Sequence, residues 1–165
     1  MEDAKAKFKE EEFYEPLKKW LESEGYSALV TAGKKQILLI TGPLLGVGYL
    51  EPDVIGYKKE GYEEYLTIIE AKADPMYIFD GLGRCYVYQT VADYVYLALP
   101  KKLAEKIGPG SFFEREFRIG ILSVNKVNDK IDVEVKIRAQ RIYSHRHEMR
   151  MVLMDMVKAA LNIRR

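Results

Sequence analysis

Residues 50–74 read LEPDVIGYKKEGYEEYLTIIEAKAD. Two β-rich runs, at about 53–58 and 64–72, flank the polar turn KKEGYE, the pattern of a β-hairpin. Acids nevertheless stand at Asp53, where the first run opens, and at Glu70, near the end of the second, with Lys72 two residues further on. Side chains two apart share one face of a strand, so Glu70 and Lys72 project together while Ala71 points away, its carbonyl near the strand edge. If the runs pair through the turn near Gly61, Asp53 reaches the end that holds Glu70 and Lys72. Two carboxylates and a carbonyl make a hard-oxygen set suited to Mg2+, which usually keeps several waters. A lysine beside them can hold a phosphate or orient an attacking water. Burying two acids is costly without a cation, so the set makes physical sense mainly as a metal site. The plainer alternative is that Asp53 caps a turn after Pro52 and that Glu70 and Lys72 form a surface pair of little worth.

Outward from the hairpin, helical spacing of Phe13, Tyr14, Leu17, Trp20 and Leu21 predicts a first helix over roughly 4–24, ending near Gly25. Pro16 lies inside it and predicts either a kink or a start near Glu12. YSALVTAG (26–33) and KQILLITG (35–42) read as strands joined by AGKK, and PLLGVG (43–48) as a turn. Asp74 before Pro75 is a helix start, predicting a helix over 75–91. YVYLALP (94–100) is a strand and 101–107 a short helix. FRIGILSV and KIDVEVKIR form a hairpin around NKVND, with Ile131, Val133, Val135 and Ile137 facing one way and Lys130, Asp132, Glu134 and Lys136 the other. A last helix covers about 146–163, with Glu148, Asp155, Lys158 and Asn162 on one stripe; its Met149, Met154 and Met156 suit a core or a dimer seam. The order α-β-β-β-β-α-β-α-β-β-α predicts one α/β domain over residues 1–165 with a mixed sheet.

A chain of 165 residues that is 48% hydrophobic can build one ordinary core. No apolar run approaches a membrane helix, and the charged start MEDAKAKFKEEEF lacks a secretion signal. The single cysteine, Cys85, forbids an intrachain disulfide, so a cytoplasmic location is expected. Charged residues reach 31% against three glutamines and three asparagines, a balance that suits heat adaptation. The net charge of +1 excludes a uniformly basic nucleic-acid coat. Residues 1–24 nevertheless carry five lysines against eight acids, and residues 136–165 eight basic residues against two acids. That basic end can meet phosphate locally or be a solvated polar face.

Pro52-Asp53 and Glu70-Ala71-Lys72, sixteen residues apart between the acids and set on a strand, a turn and a strand, resemble the motif of the PD-(D/E)xK nuclease superfamily. That superfamily includes restriction enzymes, archaeal Holliday-junction resolvases and RecB-type nucleases. The likeness covers most of residues 7–99. It implies a restriction-endonuclease-like three-layer core, a mixed sheet flanked by helices. It implies Mg2+ or Mn2+ held by Asp53, Glu70 and the Ala71 carbonyl, with Lys72 assisting hydrolysis of a phosphodiester. Members often add an acid from the first helix. Glu10 fits, because Phe13, Tyr14 and Leu17 follow at helical spacing, whereas Glu11, Glu12 and Glu15 fall on other faces. Where the RecB-like branch carries a Gln-x-x-x-Tyr pair, this chain offers Arg84 and Tyr88, a departure. Arg84 is expected to contact a phosphate or pair with an acid of the site, and Tyr88 to contact nucleic acid or belong to the core.

Lys34, Lys35, Arg138, Arg141, Arg146 and Arg150 are candidate phosphate contacts, or ordinary surface charge. GPLLGVG is read as a turn, since no phosphate-loop lysine follows. His145 and His147 lack further metal ligands and mark a helix start. No nucleophile elbow or catalytic triad is visible. The expectation is a metal-dependent endonuclease acting on DNA in repair, recombination or defence, with a possible homodimer and no membrane. The alternative is an inactive nucleic-acid-binding module or an oligomeric partner subunit of the same fold.

Overall fold

A computed structural model describes residues 8–40, 49–108, 110–143 and 147–163. Helix α1 spans Glu11–Ser23 and buries Phe13, Leu17 and Leu21, the stripe its spacing requires. It runs through Pro16, the sixth helical residue, whose missing N–H leaves the Glu12 carbonyl without its i+4 donor. Strand β1, Ser27–Val30, follows after Gly25, whose φ of +87° turns the chain out of the helix. Two short strands, β2 (Leu39–Ile40) and β3 (Tyr49–Leu50), pair antiparallel with each other. Of the two strands expected at 26–33 and 35–42, the first is shortened to Ser27–Val30 and pairs with residues 54–57, and the second is a strand only at Leu39–Ile40 among the described residues. Between them the Glu51 carboxylate accepts the Gly33 N–H at 3.0 Å and the Lys35 N–H at 2.5 Å, folding that loop onto residues 51–53. The remaining expectations for 4–7, 41–48 and 146 lie outside the described residues.

Strands β4 (Val54–Glu60) and β5 (Glu63–Ala71) form the expected hairpin about Gly61, with Glu60 opposite Glu63. Asp74 caps a short 3-10 turn, Pro75–Tyr77, by accepting the Met76 N–H at 3.0 Å. Helix α2, Ile78–Tyr88, continues from it. Strand β6 (Tyr94–Pro100) leads into the single-turn helix α3 (Lys101–Ala104). A π-helical turn at Phe113–Phe117 delays β7 to Gly120–Val127, later than the sequence predicts. The turn to β8 (Lys130–Ile137) is Asn128-Asp129, both with positive φ as a two-residue hairpin requires. Helix α4, His147–Ala160, closes the fold.

The main sheet has the order β1-β4-β5-β6-β7-β8, parallel across β5-β6-β7 and antiparallel at both flanks. This is a mixed α/β fold with a six-stranded sheet between helices. On one face α1 packs over Val54, Ile69, Ala71, Ala98 and Leu122. On the other, α2 and α4 pack over Ile55, Ile68, Val95, Leu97 and Ile121. From Leu66 to Ala71 strand β5 is buried on both faces, which explains its unbroken apolar run. The predicted alternation of β8 holds through Val135 and then breaks. A bulge after Val135 brings Ile137 opposite Ile121 and turns it into the core beneath α2 and α4, away from Ile131, Val133 and Val135.

Candidate active site

The register that sets Val54 opposite Ile69 places Asp53 opposite Glu70 one step further out. Asp53 Oδ2 accepts the Ala71 N–H at 2.7 Å. The N–H and C=O of one extended residue leave a strand on the same side, so the Ala71 carbonyl is directed toward Asp53 as well. Backbone from β1 holds this segment in place: Thr31 and Ala32 both donate N–H groups to the Asp53 carbonyl, and the Thr31 hydroxyl donates to the Pro52 carbonyl.

Glu70 is fully buried. Its Oε1 accepts from Lys72 Nζ at 2.8 Å and its Oε2 from the Tyr88 hydroxyl at 3.2 Å. Arg84 Nε lies 3.6 Å from Glu70 Oε1 and 3.2 Å from Asp80 Oδ2. Glu10, just before α1, brings Oε1 to 3.6 Å from Lys72 Nζ and Oε2 to 3.5 Å from the Ala73 N–H. Gly81 makes room for the lysine, because a Cβ there would stand 2.7 Å from Lys72 Cγ. Glu10, Asp53, Glu70 and Lys72 thus meet at one end of the sheet, as their spacing predicts.

Around Lys72 and Arg84 four acids, Glu10, Asp53, Glu70 and the exposed Asp80, face two cations. Burial first, and then the charge of Glu70, push the Asp53 carboxyl up to about 7, against the opposing pull of the Ala71 N–H and Lys72. Burial likewise raises Glu70, opposed by Lys72, Arg84 and Tyr88. Burial works against the Lys72 ammonium, but Glu70, Glu10 and Asp53 outweigh it and raise its pKa. The cluster therefore retains a proton or needs another cation near neutral pH. Among the described residues no three His, Cys, Asp or Glu side chains are grouped closely enough to cage a metal. The donor set instead fits a hard ion that keeps much of its water: two facing carboxylates, one carbonyl and a third acid nearby.

The expected nucleic-acid contacts divide. Lys34 and Lys35 are exposed in the loop after β1, at the same end as the acids. Arg84 pairs with Glu70 at the lip of the site. Tyr88 is a core residue whose hydroxyl bridges Glu70 and the Glu51 carbonyl at 3.1 Å, so it positions an acid and offers no open surface. Arg138, paired with Glu24 at 2.7 Å, and Arg141, 3.2 Å from Glu63 and stacked on Tyr65, lie at the opposite end of the sheet. Arg150 joins them there through Asp93 at 2.7 Å. Arg146 and His145 lie outside the described residues, and His147 is exposed at the start of α4.

Sequence reasoning missed Tyr14, half-buried one turn after Glu10. Burial and the charges of Asp53 and Glu10 raise its hydroxyl pKa, so it stays un-ionised near the acids. The signal was its position four residues from Glu10. It missed Gly81 too, for which the sequence carried no signal. Comparison of the chain with known protein families, with curated proteins and with solved structures finds no match.

Proposed function

We propose that the protein is a divalent-metal-dependent deoxyribonuclease of the PD-(D/E)xK type, with a restriction-endonuclease-like core. The observation that carries this reading is the convergence of two facing, buried acids with Lys72 at the open end of β4 and β5. Asp53, Glu70 and the Ala71 carbonyl would hold Mg2+ or Mn2+, with Glu10 reaching it directly or through water. Such an ion supplies Lewis acidity toward a phosphodiester and lowers the pKa of bound water. Lys72, kept protonated by the surrounding acids, orients the attacking water or steadies a phosphate oxygen. Tyr88 fixes the Glu70 carboxylate from behind. Arg84, about one third exposed, has its guanidinium at the lip where a phosphate arrives, and Lys34 and Lys35 extend the positive rim. A cytoplasmic DNA substrate suits this rim. No helix among the described residues is long and apolar enough to cross a membrane.

The test is a cleavage assay with Mg2+ and Mn2+ on branched, duplex and single-stranded DNA, run beside Asp53→Asn and Lys72→Met. Cleavage by the wild type and its loss in both variants is the expected result. Calorimetric Mn2+ binding without cleavage of any substrate would replace this reading with a non-cutting nucleic-acid module. The absence of both would point to a partner subunit, whose self-association light scattering measures.

A further inference from the structure

A cavity of about 390 Å³ opens over the α1 face of the sheet, at the end away from Glu70. It does not depend on the nuclease reading. Trp20, Tyr26, Tyr65, Tyr94 and Tyr96 wall it, and Thr67 lies at its base. The sheet is cut back to seat these rings. Gly120 leaves bare backbone beneath Tyr96, where a Cβ would come within 2.3 Å of the ring. Gly56 does the same for Tyr26, at 3.1 Å. Trp20 meets Tyr96 edge-on at 5.2 Å, and Tyr65 and Tyr94 lie tilted together at 6.3 Å.

Thr67 is only 1% exposed, yet its hydroxyl makes no hydrogen bond. The Tyr26 hydroxyl, which also lines the cavity, interacts with Thr67 and so opposes the burial that raises its pKa, but the two lie outside full hydrogen-bond geometry. A valine would fill the same space without an orphaned polar atom, so the hydroxyl at the cavity's base is a polar group left unmet by the protein itself. The charges lining the cavity cancel: Lys58 pairs with Glu60 at 2.5 Å and Arg138 with Glu24 at 2.7 Å.

We propose that this cavity binds a neutral planar heteroaromatic molecule, a nucleobase or nucleoside, between the tyrosine rings, with its polar edge on Thr67 and Tyr26. The volume lies within the range of small-ligand pockets, and aromatic walls with one or two convergent polar groups are their usual lining. Because every lining cation already holds a carboxylate, a phosphate gains nothing there, and an uncharged ligand is preferred over its nucleotide.

Trp20 is the only tryptophan and stands in the wall, so its emission reports occupancy directly. Adenosine, uridine and adenosine monophosphate are titrated into the full chain. A saturable change with a nucleoside, and no tighter binding of the monophosphate, is expected. Thr67→Val should weaken binding about tenfold, as the loss of one hydrogen bond to an otherwise unsatisfied group does. Tyr26→Phe, which keeps the ring, should weaken it several-fold and serves if the valine variant does not fold. Lys72→Met should leave nucleoside binding unchanged, because the acids lie on the other face. The proposal fails if neither nucleoside gives a saturable change. It also fails if both hydroxyl variants bind like the wild type, if the monophosphate binds tenfold tighter, or if Lys72→Met abolishes the signal.

Discussion

Replacing Asp53 with asparagine should stabilise the metal-free protein at pH 8 while destroying its function. The Asp53 carboxyl is pushed up to about 7 in the folded state, whereas an unfolded aspartate titrates at about 3.9. The folded state therefore holds a proton that the unfolded chain has released. The stability so gained is fully present below about pH 4 and is lost as pH rises through about 7. The full difference corresponds to about 4 kcal/mol. Relaxation and water penetration around a partly open site reduce it to about 2 kcal/mol. Asparagine keeps an oxygen to accept the Ala71 N–H, and Lys72 keeps Glu70 as its partner. For a chain of this size, about 2 kcal/mol raises Tm by about 4–8 °C. Differential scanning calorimetry in EDTA at pH 5 and pH 8 measures this. A large gain for Asp53→Asn at pH 8 and one about a third as large at pH 5 are expected. A wild type equally stable at both pH values, or a variant less stable at pH 8, would refute the account of the acid pair.

Mn2+ at a hundred times its dissociation constant should raise wild-type stability by about 2.7 kcal/mol and leave Asp53→Asn nearly unmoved, read as thermal shifts at pH 8. Gly81→Leu should displace Lys72 and lower kcat at least tenfold with smaller change in KM, because no side chain fits 2.7 Å from Lys72 Cγ. Tyr88→Phe should reduce cleavage about tenfold and weaken Mn2+ affinity, measured by calorimetry, through loss of its bond to Glu70. Asp93→Ala should destabilise the fold by about 3–5 kcal/mol in urea titration, since it leaves Arg150 and the Leu66 N–H without their acid at the base of the sheet.

The meeting of Asp53, Glu70 and Lys72 was legible because it depends only on a period of two and one turn at Gly61. Glu10 was legible from one helical face. What the sequence hid was long-range. Arg138 and Arg141 read as free cations, yet their partners Glu24 and Glu63 lie 114 and 78 residues away in the chain. No local pattern reports such a pairing. Ile137 changed faces because a bulge adds one residue to the count, which alternation alone does not register. The loop after β1 followed a side-chain to backbone contact from Glu51, a residue that reads as ordinary surface charge. Tyr88 carried the right residue type for a site but reaches it from inside the core.

The two ends of the sheet contain the same ingredients in different proportions. Near β6's start, Glu63, Glu64 and Asp93 meet Arg141, Arg150 and Lys158, three acids against three cations. That balance ties α4 to the sheet: Arg150 and Lys158 both come from the helix, and the charges need nothing further. Near β5's end, Glu10, Asp53 and Glu70 surround Lys72, and Arg84 is shared between Glu70 and the exposed Asp80, so among the described residues four acids meet two cations. Negative charge is left over, in a place where Glu70 has no access to water and Asp53 has little. A cluster whose role was only to hold elements together would lose nothing by balancing, as the other end does. The surplus negative charge destabilises this end of the sheet unless a proton or a cation relieves it, and that imbalance is what favours the proposed metal-dependent reading over a purely structural cluster.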